Sequence, residues 1–332
     1  MAINKMRLAI AGSGMVTDHH CRAWAKLPHV EVAAICSRRF ENAERRALQF
    51  GIPAVFDDYT RMLDTVEPDA VDIATVPEVH FDQVLEAADR GIHVLCQKPM
   101  TPSLADSRRL VDQVADRVRF MVHENWRFRP QYRRISTWLN EDKLGTIHDF
   151  KMTVRSSGLI TRSNSGRLFA IERQPFFTTL KRFMIMEVLI HHLDTMRFLL
   201  GDLRVTETSH ARICQEIVGE DFASISLRTE SGAQGNVTGN FSAAGFPPLP
   251  VDDLELIGDR GSVIFRNQKL SLLGSDPEEI NYDRETAYQQ SYDNAIAHFV
   301  ACMTENIPFE TDRIDNLATL QLVEDAYLAA ER

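Results

Sequence analysis

The sequence is poor in cysteine, short of positive charge and without a long apolar run. Five cysteines (Cys21, Cys36, Cys96, Cys214, Cys302) stand among 332 residues, odd in number, widely scattered and with no Cys-x-x-Cys pair. They read as buried, reduced thiols of a cytoplasmic protein, not as disulfides or metal ligands. Lysines and arginines number 37 against 47 aspartates and glutamates, a net charge of −10 with an isoelectric point near 5.6. Such a balance excludes a general nucleic-acid-binding face, which needs a basic surface against phosphate. No apolar stretch approaches the roughly 18 residues of a membrane span. The first such stretch, residues 6–11, contains Arg7 and runs into a glycine turn, so neither a signal peptide nor a membrane partner is expected. Internal repeats, low-complexity segments and flexible linkers are also lacking. What is present, 44% hydrophobic and 25% charged residues, is the composition of a folded globular protein. At about 150 residues per domain, the length predicts two.

The two halves carry different patterns. Up to about residue 125, short apolar runs (7–11, 30–36, 69–76, 92–96, 119–123) alternate with amphipathic stretches ending at Pro28, Gly51 and Gly91. This is the signature of βαβ units on a doubly wound parallel sheet. After a helix over 130–141 the chain turns to strands joined directly, at 147–155, 205–215, 223–228, 234–241, 253–257 and 262–266. Hairpin-type turns at Ser231-Gly232 and Asp259-Arg260-Gly261 predict a largely antiparallel, open sheet. Helices over 292–305 and 315–330 close the chain. The expected organisation is α/β, with a dinucleotide-binding Rossmann domain over 1–125. An α+β domain for substrate binding and oligomerisation follows over 126–332.

Three places carry chemistry. Gly12-Ser13-Gly14-Met15-Val16-Thr17 follows the first strand and opens a helix. The first glycine permits the tight turn, and the second lets backbone approach a pyrophosphate seated on the helix N-terminus. Thr17 stands where Gly or Ala is usual, which loosens helix–strand packing. The second strand ends in Cys36-Ser37-Arg38-Arg39, with no acid for a ribose 2′-hydroxyl. Ser37 and Arg38 can instead hold a 2′-phosphate, which favours NADP over NAD; the alternative is that these arginines solvate a loop and NAD is used. The strand at 92–96 runs into Gln97-Lys98-Pro99, placing a lysine at the carboxyl end of a parallel strand, where ligands bind. Glu187, His191 and Asp194 follow at i, i+4, i+7 in a stretch expected to be an amphipathic helix ending at Gly201. A carboxylate one turn from an imidazole can make it a general base; a core histidine bonded to Glu187 is the bland alternative. No third ligand stands at a spacing that suggests a metal.

These motifs together resemble the Gfo/Idh/MocA oxidoreductases, the family of glucose–fructose oxidoreductase and inositol 2-dehydrogenase. The resemblance covers nearly the whole chain and rests on the opening GSGMVTDHH, the strand Val71-Asp72-Ile73-Ala74-Thr75, HVLCQKPM in place of an EKP signature, residues 125–130 (NWRFRP), and the Glu187–His191–Asp194 stretch leading to Leu200-Gly201. Residues 123–128 with 187–191 further resemble a sugar dehydrogenase branch that includes D-apiose dehydrogenase. The resemblance implies that Lys98 stabilises a developing alkoxide while His191, oriented by Glu187, accepts the hydroxyl proton and hydride passes to the nicotinamide. Cofactor contacts are then expected from Gly12, Ser13, Gly14, Met15, Val16, Ser37, Arg38, Val76, Pro77, His80, Gln97 and Lys98. Substrate contacts are expected from Asn125, Arg127, Arg155, Arg173 and His192. Two departures stand out: Gln97 replaces Glu, and Glu187 stands where many members have Asp.

The expected function is therefore an NAD(P)-dependent dehydrogenase or reductase of a sugar or polyol. The alternatives are a non-catalytic cofactor-binding sensor, or the same fold with a tightly held recycling cofactor, as in aldose–aldose oxidoreductases and NAD-dependent glycosidases. The resemblance also implies a homodimer or homotetramer packed through the open sheet, to which apolar Ile225, Leu227, Val237 and Phe241 lend support; cover by the two closing helices is the alternative. Charge is uneven along the chain. Residues 151–186 hold seven bases (Lys151, Arg155, Arg162, Arg167, Arg173, Lys181, Arg182) and one acid, Glu172, a net of +6. This stretch is expected to wall the active site or to form a solvated loop.

Overall fold

Short, nearly uniform apolar runs have no polar face to give to water, so they pair side by side with helices on both faces. The structure, a computed structural model, describes residues 5–331. Strands β1 (Met6–Ala11), β2 (Val30–Cys36), β3 (Ala54–Phe56), β4 (Ala70–Ile73), β5 (His93–Gln97) and β6 (Phe120–His123) form an all-parallel sheet in the order β3-β2-β1-β4-β5-β6. Helices α1 (Met15–Trp24), α2 (Phe40–Phe50), α3 (Tyr59–Val66), α4 (His80–Asp89) and α5 (Leu104–Val114) connect the strands. Their ends follow local chemistry. Gly51, at φ 68°, closes α2 in the left-handed region. The Asp58 carboxylate accepts the Arg61 N–H at 2.7 Å to start α3, and Ser103 Oγ accepts the Asp106 N–H at 3.1 Å to start α5. The strand order reverses between β1 and β4, and their carboxyl ends, Ala11 and Ile73, flank the ligand-binding position of such sheets. The short β3 and α3 were not among the expected elements.

The later elements are α6 (Pro130–Asn140), β7 (Ile147–Arg155), α7 (Phe169–Arg173), α8 (Ile190–Leu200), β8 (Leu203–Ala211), β9 (Phe222–Thr229), β10 (Gln234–Asn240), β11 (Val251–Gly258), β12 (Gly261–Arg266), β13 (Lys269–Gly274), β14 (Glu278–Asn281), α9 (Arg284–Glu305) and α10 (Arg313–Ala330). The eight strands form one sheet, β14-β13-β12-β11-β7-β10-β9-β8, antiparallel except where β10 runs parallel to β7. Strands β13 and β14 extend it beyond the expected six. One face is apolar and covered by the chain itself. Ile225, Leu227, Val237 and Phe241 are all buried. Phe183 meets Phe241 edge-on at 5.6 Å, and Met184 and Leu189 press on Gly239. These four residues therefore lend no support to an oligomer face. The opposite face is polar, with Ser224 bonded to Thr238 at 3.1 Å and Asn236 to Ser226 at 2.9 Å.

The compact units depart from a single break at 125/126. One unit comprises the chain to Phe128 with Tyr288–Ala318, and the other comprises Arg129–Ala287 with the chain from Thr319. Apolar burial is the reason. Tyr292, Ile296, Phe299, Cys302 and Phe309 join Leu8, Ile10, Trp24 and Met121 in one buried cluster of the first unit. Three of the seven bases of the basic stretch meet carboxylates within the second unit. Arg155 lies 3.6 Å from Asp253, Arg162 pairs with Glu216 at 2.6 Å and Arg182 with Glu324 at 2.8 Å. No helix among the described residues is long and apolar enough to cross a membrane.

Candidate active site

The phosphate turn leaves β1 at Gly12, whose φ of 114° and surroundings require glycine: a Cβ there would lie 2.2 Å from the Ala74 carbonyl oxygen. Gly14 is different. Its φ of −71° suits any residue, and a Cβ would meet no atom of the described residues within 4 Å. The fold itself thus makes no demand for glycine at 14, whereas a pyrophosphate laid against this backbone does. That cradle fits a dinucleotide. Ser13 Oγ donates to Ser37 Oγ at 2.7 Å, tying the turn to the end of β2. Arg38 is exposed and takes no ion-pair partner among the described residues, while Met15 and Val76 are exposed beside the turn and after β4. Val16 is half-buried, and Pro77 opens a single 3-10 turn leading into α4. Thr17 is fully buried in the helix–strand contact, its hydroxyl without a hydrogen-bond partner.

His80 does not present its ring as a cofactor contact. It is fully buried between the Pro99 carbonyl at 3.0 Å and the Thr75 carbonyl at 3.3 Å, and burial holds its ring below the ordinary imidazole range. A neutral ring has one N–H, so it latches one carbonyl at a time, and the shorter contact is to Pro99. His80 thereby supports the turn that follows Lys98.

Gln97 ends β5 inside a buried hydrogen-bonded chain that sequence reasoning missed. Trp24 Nε1–H donates to Asp72 Oδ2 at 2.7 Å, and His20 Nδ1 approaches the same oxygen at 2.8 Å. With its Nδ1–H given to Asp72, His20 offers Nε2 as an acceptor to the Gln97 amide at 2.9 Å. That amide also reaches His123 Nδ1 at 3.1 Å. Gln97 Oε1 accepts the Lys98 backbone N–H at 3.1 Å. With both imidazoles accepting, the Gln97 amide donates twice and its oxygen accepts from the backbone, a combination that a carboxylate does not supply. Lys98 follows, half-buried at the carboxyl end of the sheet, with its peptide bond to Pro99 cis. A buried aspartate in an otherwise apolar strand and the doubled histidine after the glycine turn were the legible signals of this network.

In the second unit the expected amphipathic helix is neither uniform nor amphipathic. Met184–Leu189 forms a π-helical turn, and α8 begins only at Ile190. Residues 190–196 are buried all round, so the i, i+4, i+7 face does not hold across the junction. Glu187 is half-buried on the π turn and His191 is buried in the first turn of α8. Asp194 turns to the end of the chain instead, accepting Thr319 Oγ1–H at 2.9 Å. His192 is held by two oxygens, the Val188 carbonyl at 3.1 Å from Nδ1 and Asp252 Oδ1 at 3.0 Å from Nε2. Asp252 also accepts from Arg129 at 2.6 Å. Burial works to raise the Asp252 carboxyl, but the hydrogen bond and charge of His192, with the Arg129 guanidinium, outweigh it and hold the group well below the usual carboxylate range.

Of the other expected substrate contacts, two are occupied by their own unit. Asn125 is buried and donates to Ser291 Oγ at 2.7 Å. Arg127 is 4% exposed, bonded to the Glu310 carbonyl at 2.9 Å and to Asp315 at 2.8 Å. Arg155 donates to Thr153 Oγ1 at 2.9 Å and lies over the Phe246 ring at 5.4 Å. Arg173, last residue of α7, is exposed. Among the described residues, no group of three or more His, Cys, Asp and Glu side chains is placed to hold a metal ion.

Two family models match the chain: the oxidoreductase family, NAD-binding Rossmann fold, over residues 6–124, and the GFO/IDH/MocA C-terminal domain over residues 132–264. A D-apiose dehydrogenase of Paraburkholderia graminis is 30% identical, over 99% of this chain and 88% of that protein. The chain belongs to the Gfo/Idh/MocA oxidoreductase family. A second D-apiose dehydrogenase, from Rhizobium rhizogenes, is 27% identical over 99% of this chain and 96% of its own length. Among solved structures, an oxidoreductase from Agrobacterium radiobacter in complex with NAD+, L-tartaric acid and magnesium superposes with a TM-score of 0.91 at 26% identity, covering 99% of this chain and 97% of that one. Levoglucosan dehydrogenase shares the fold, with a TM-score of 0.84 at 19% identity over 98% of this chain and 97% of that one. The Gfo/Idh/MocA assignment accounts for the two sheets, the first an NAD-binding Rossmann sheet and the second mostly antiparallel.

Proposed function

We propose that this chain is a dehydrogenase that oxidises a carbinol or hemiacetal carbon of a sugar or sugar-like polyol, with His191 as base and Lys98 as the stabiliser of the alkoxide. The observation that carries the reading is Lys98 itself. It stands at the carboxyl end of a parallel strand, its backbone N–H fixed by Gln97, in a sheet whose Gly12–Gly14 turn is cut to accept a dinucleotide. Gly12, Ser13, Gly14, Met15, Val16, Ser37 and Arg38 would hold the cofactor, with Val76, Pro77 and Gln97 completing its surroundings. The bound nicotinamide supplies the two-electron acceptor. The chain's own part is charge and proton handling. The Lys98 ammonium places positive charge where the substrate oxygen becomes negative, and His191 takes the hydroxyl proton as the C–H bond is given up. Glu187 orients His191, while His192, locked to Asp252, holds the neighbouring turn in place. The names of the relatives, dehydrogenases of apiose and of inositol, support a polyhydroxylated substrate.

The cofactor we favour is NADP(H). Arg38 is exposed and has no ion-pair partner among the described residues, with Ser37 beside it in the chain and no acid at the end of β2. A larger rise in melting temperature with NADP than with NAD supports this choice, and the reverse order defeats it. The dehydrogenase reading is tested by following nicotinamide reduction with a panel of aldoses, lactones and polyols. Reduction with at least one of them is expected. Cofactor affinity without reduction by any member of the panel would point to a sensor instead.

A further inference from the structure

The first N–H groups of a helix have no acceptor within it and must find one elsewhere. Where the chain enters the π-helical turn Met184–Leu189, one residue distant in sequence supplies three. The Phe183 N–H donates to Glu220 Oε2 at 3.3 Å, the Met184 N–H to the Glu220 carbonyl at 3.0 Å, and the Ile185 N–H to Glu220 Oε1 at 3.1 Å. Oε1 also accepts the Tyr327 hydroxyl of α10 at 2.6 Å. Burial and the Glu220 carboxylate hold the Tyr327 phenol above its ordinary range, so it stays protonated as the donor. Arg182 lies over the Tyr327 ring at 3.9 Å and bonds Glu324, one turn earlier on α10, at 2.8 Å. Gly219 lets the two segments come this close, since a Cβ there would lie 2.7 Å from the Leu180 carbonyl oxygen. All of these residues belong to the second unit.

Glu220 is 6% exposed. A buried carboxylate is costly to keep, and starting a helix does not require one, because a neutral serine or threonine cap serves. What this carboxylate holds is a π-helical turn. Glu187 is the fourth residue of that turn, its N–H bonded to the Phe183 carbonyl at 2.9 Å, and His191 is the second residue of α8. The wider winding of a π turn gives Glu187 a different angular position relative to α8 from the one an α-helical turn would give. We propose that Glu220, with Tyr327, is a positioning residue for the reaction: its cap fixes the π-helical turn and so aligns Glu187 with His191. The proposal rests on the dehydrogenase reading above, with His191 as base, and deepens it.

Steady-state kinetics of Glu220→Ala, Glu220→Gln and Tyr327→Phe, run well below their melting temperatures with the best substrate of the panel, test it. Glu220→Ala is expected to lower kcat about 10- to 100-fold, as misplacing a reacting group does, with KM and cofactor affinity within about twofold of the unmodified chain. Glu220→Gln keeps an oxygen for Ile185 and Tyr327 but turns an amide NH2 to the Phe183 N–H, so it should recover part of that loss. Tyr327→Phe removes one bond of the set and should lower kcat by less than Glu220→Ala. Because Glu220 acts through His191, adding Glu220→Ala to His191→Ala should cost nothing further. Without turnover, the His191 ring signals in NMR, assigned by their absence from His191→Ala, should shift in Glu220→Gln and Tyr327→Phe. Unchanged kcat in both of these milder variants, even with a lowered melting temperature, overturns the proposal and decides the matter if Glu220→Ala does not fold. Multiplicative losses in the double variant, or His191 signals that do not move, overturn it as well. Full turnover by His191→Ala overturns the catalytic assignment and this proposal with it, whereas an inactive His191→Ala beside a fully active Glu220→Gln and Tyr327→Phe overturns the proposal alone.

Discussion

Replacing Gly12 and Gly14 separately by alanine divides what the fold needs from what a ligand needs. At Gly12 the added methyl would sit 2.2 Å from the Ala74 carbonyl oxygen and 2.6 Å from its carbon, at a φ of 114° that L side chains rarely adopt. Strain of that kind costs about 1–3 kcal/mol, and the clash adds about 1–3 kcal/mol because both contacts are backbone of Ala74, the residue after β4. Gly12→Ala should therefore lose about 2–6 kcal/mol. At Gly14 neither term applies: φ is −71° and nothing lies within 4 Å. Gly14→Ala should leave stability within about 0.5 kcal/mol of the unmodified chain, or raise it slightly by restricting the unfolded chain. Its methyl would occupy the approach of the pyrophosphate, and dinucleotide affinity should fall at least about tenfold, roughly 1.4 kcal/mol. Urea unfolding and cofactor titration on the same two variants read both effects. A Gly14→Ala variant that binds NAD and NADP as the unmodified chain does would refute the cradle argument; a Gly12→Ala variant of unchanged midpoint would refute the steric one.

Other consequences follow from the buried polar groups. Gln97→Leu strips hydrogen bonds from His20, His123 and the Lys98 backbone; at about 1 kcal/mol each, unfolding in urea should register a loss of about 3 kcal/mol, and kcat should fall with it. Asp252→Ala leaves the Arg129 and His192 pairings without their carboxylate, and a loss of about 3–5 kcal/mol is expected, with an unchanged midpoint counting against the buried triad. The native carboxyl of Asp252 is held below its unfolded value of 3.8. Its stabilisation is therefore complete above that value and is lost as pH falls below it. Asp252→Asn should therefore flatten stability against pH in that window, because the neutral amide has no charge to lose. Arg38→Ala should weaken NADP binding more than NAD binding, and equal losses would show that this arginine touches no 2′-phosphate.

The sequence carried the first sheet further than the site it supports. Buried parallel strands read as plain apolar runs, and Val30–Cys36 was legible residue for residue. Three-residue β3 is too short for any periodicity, and β14, Glu278–Asn281, is polar throughout apart from Ile280. The Glu187–His191–Asp194 spacing was read with 3.6-residue periodicity across what is a π-helical turn, and it gave no sign that Asp194 meets Thr319, 125 positions away. Arg127 illustrates the same limit. Nothing local distinguishes a substrate arginine from one paired with Asp315, since the partner arrives only when residues 288–318 pack with the first unit. The Trp24–Asp72–His20–Gln97–His123 chain draws on four separate elements, so no spacing rule reveals it, although Asp72 in an apolar strand announces a buried partner.

The central claim is that Lys98 and His191 carry out the proton and charge work of a sugar oxidation without being needed to bind the dinucleotide. Measuring kcat with the best substrate of the panel, alongside cofactor affinity, for Lys98→Ala and His191→Ala tests it most directly. Loss of a positioned acid–base group costs about 10²–10⁴-fold in rate, and both variants are expected to fall by that order while cofactor affinity persists. Turnover at the unmodified rate in both would contradict the account.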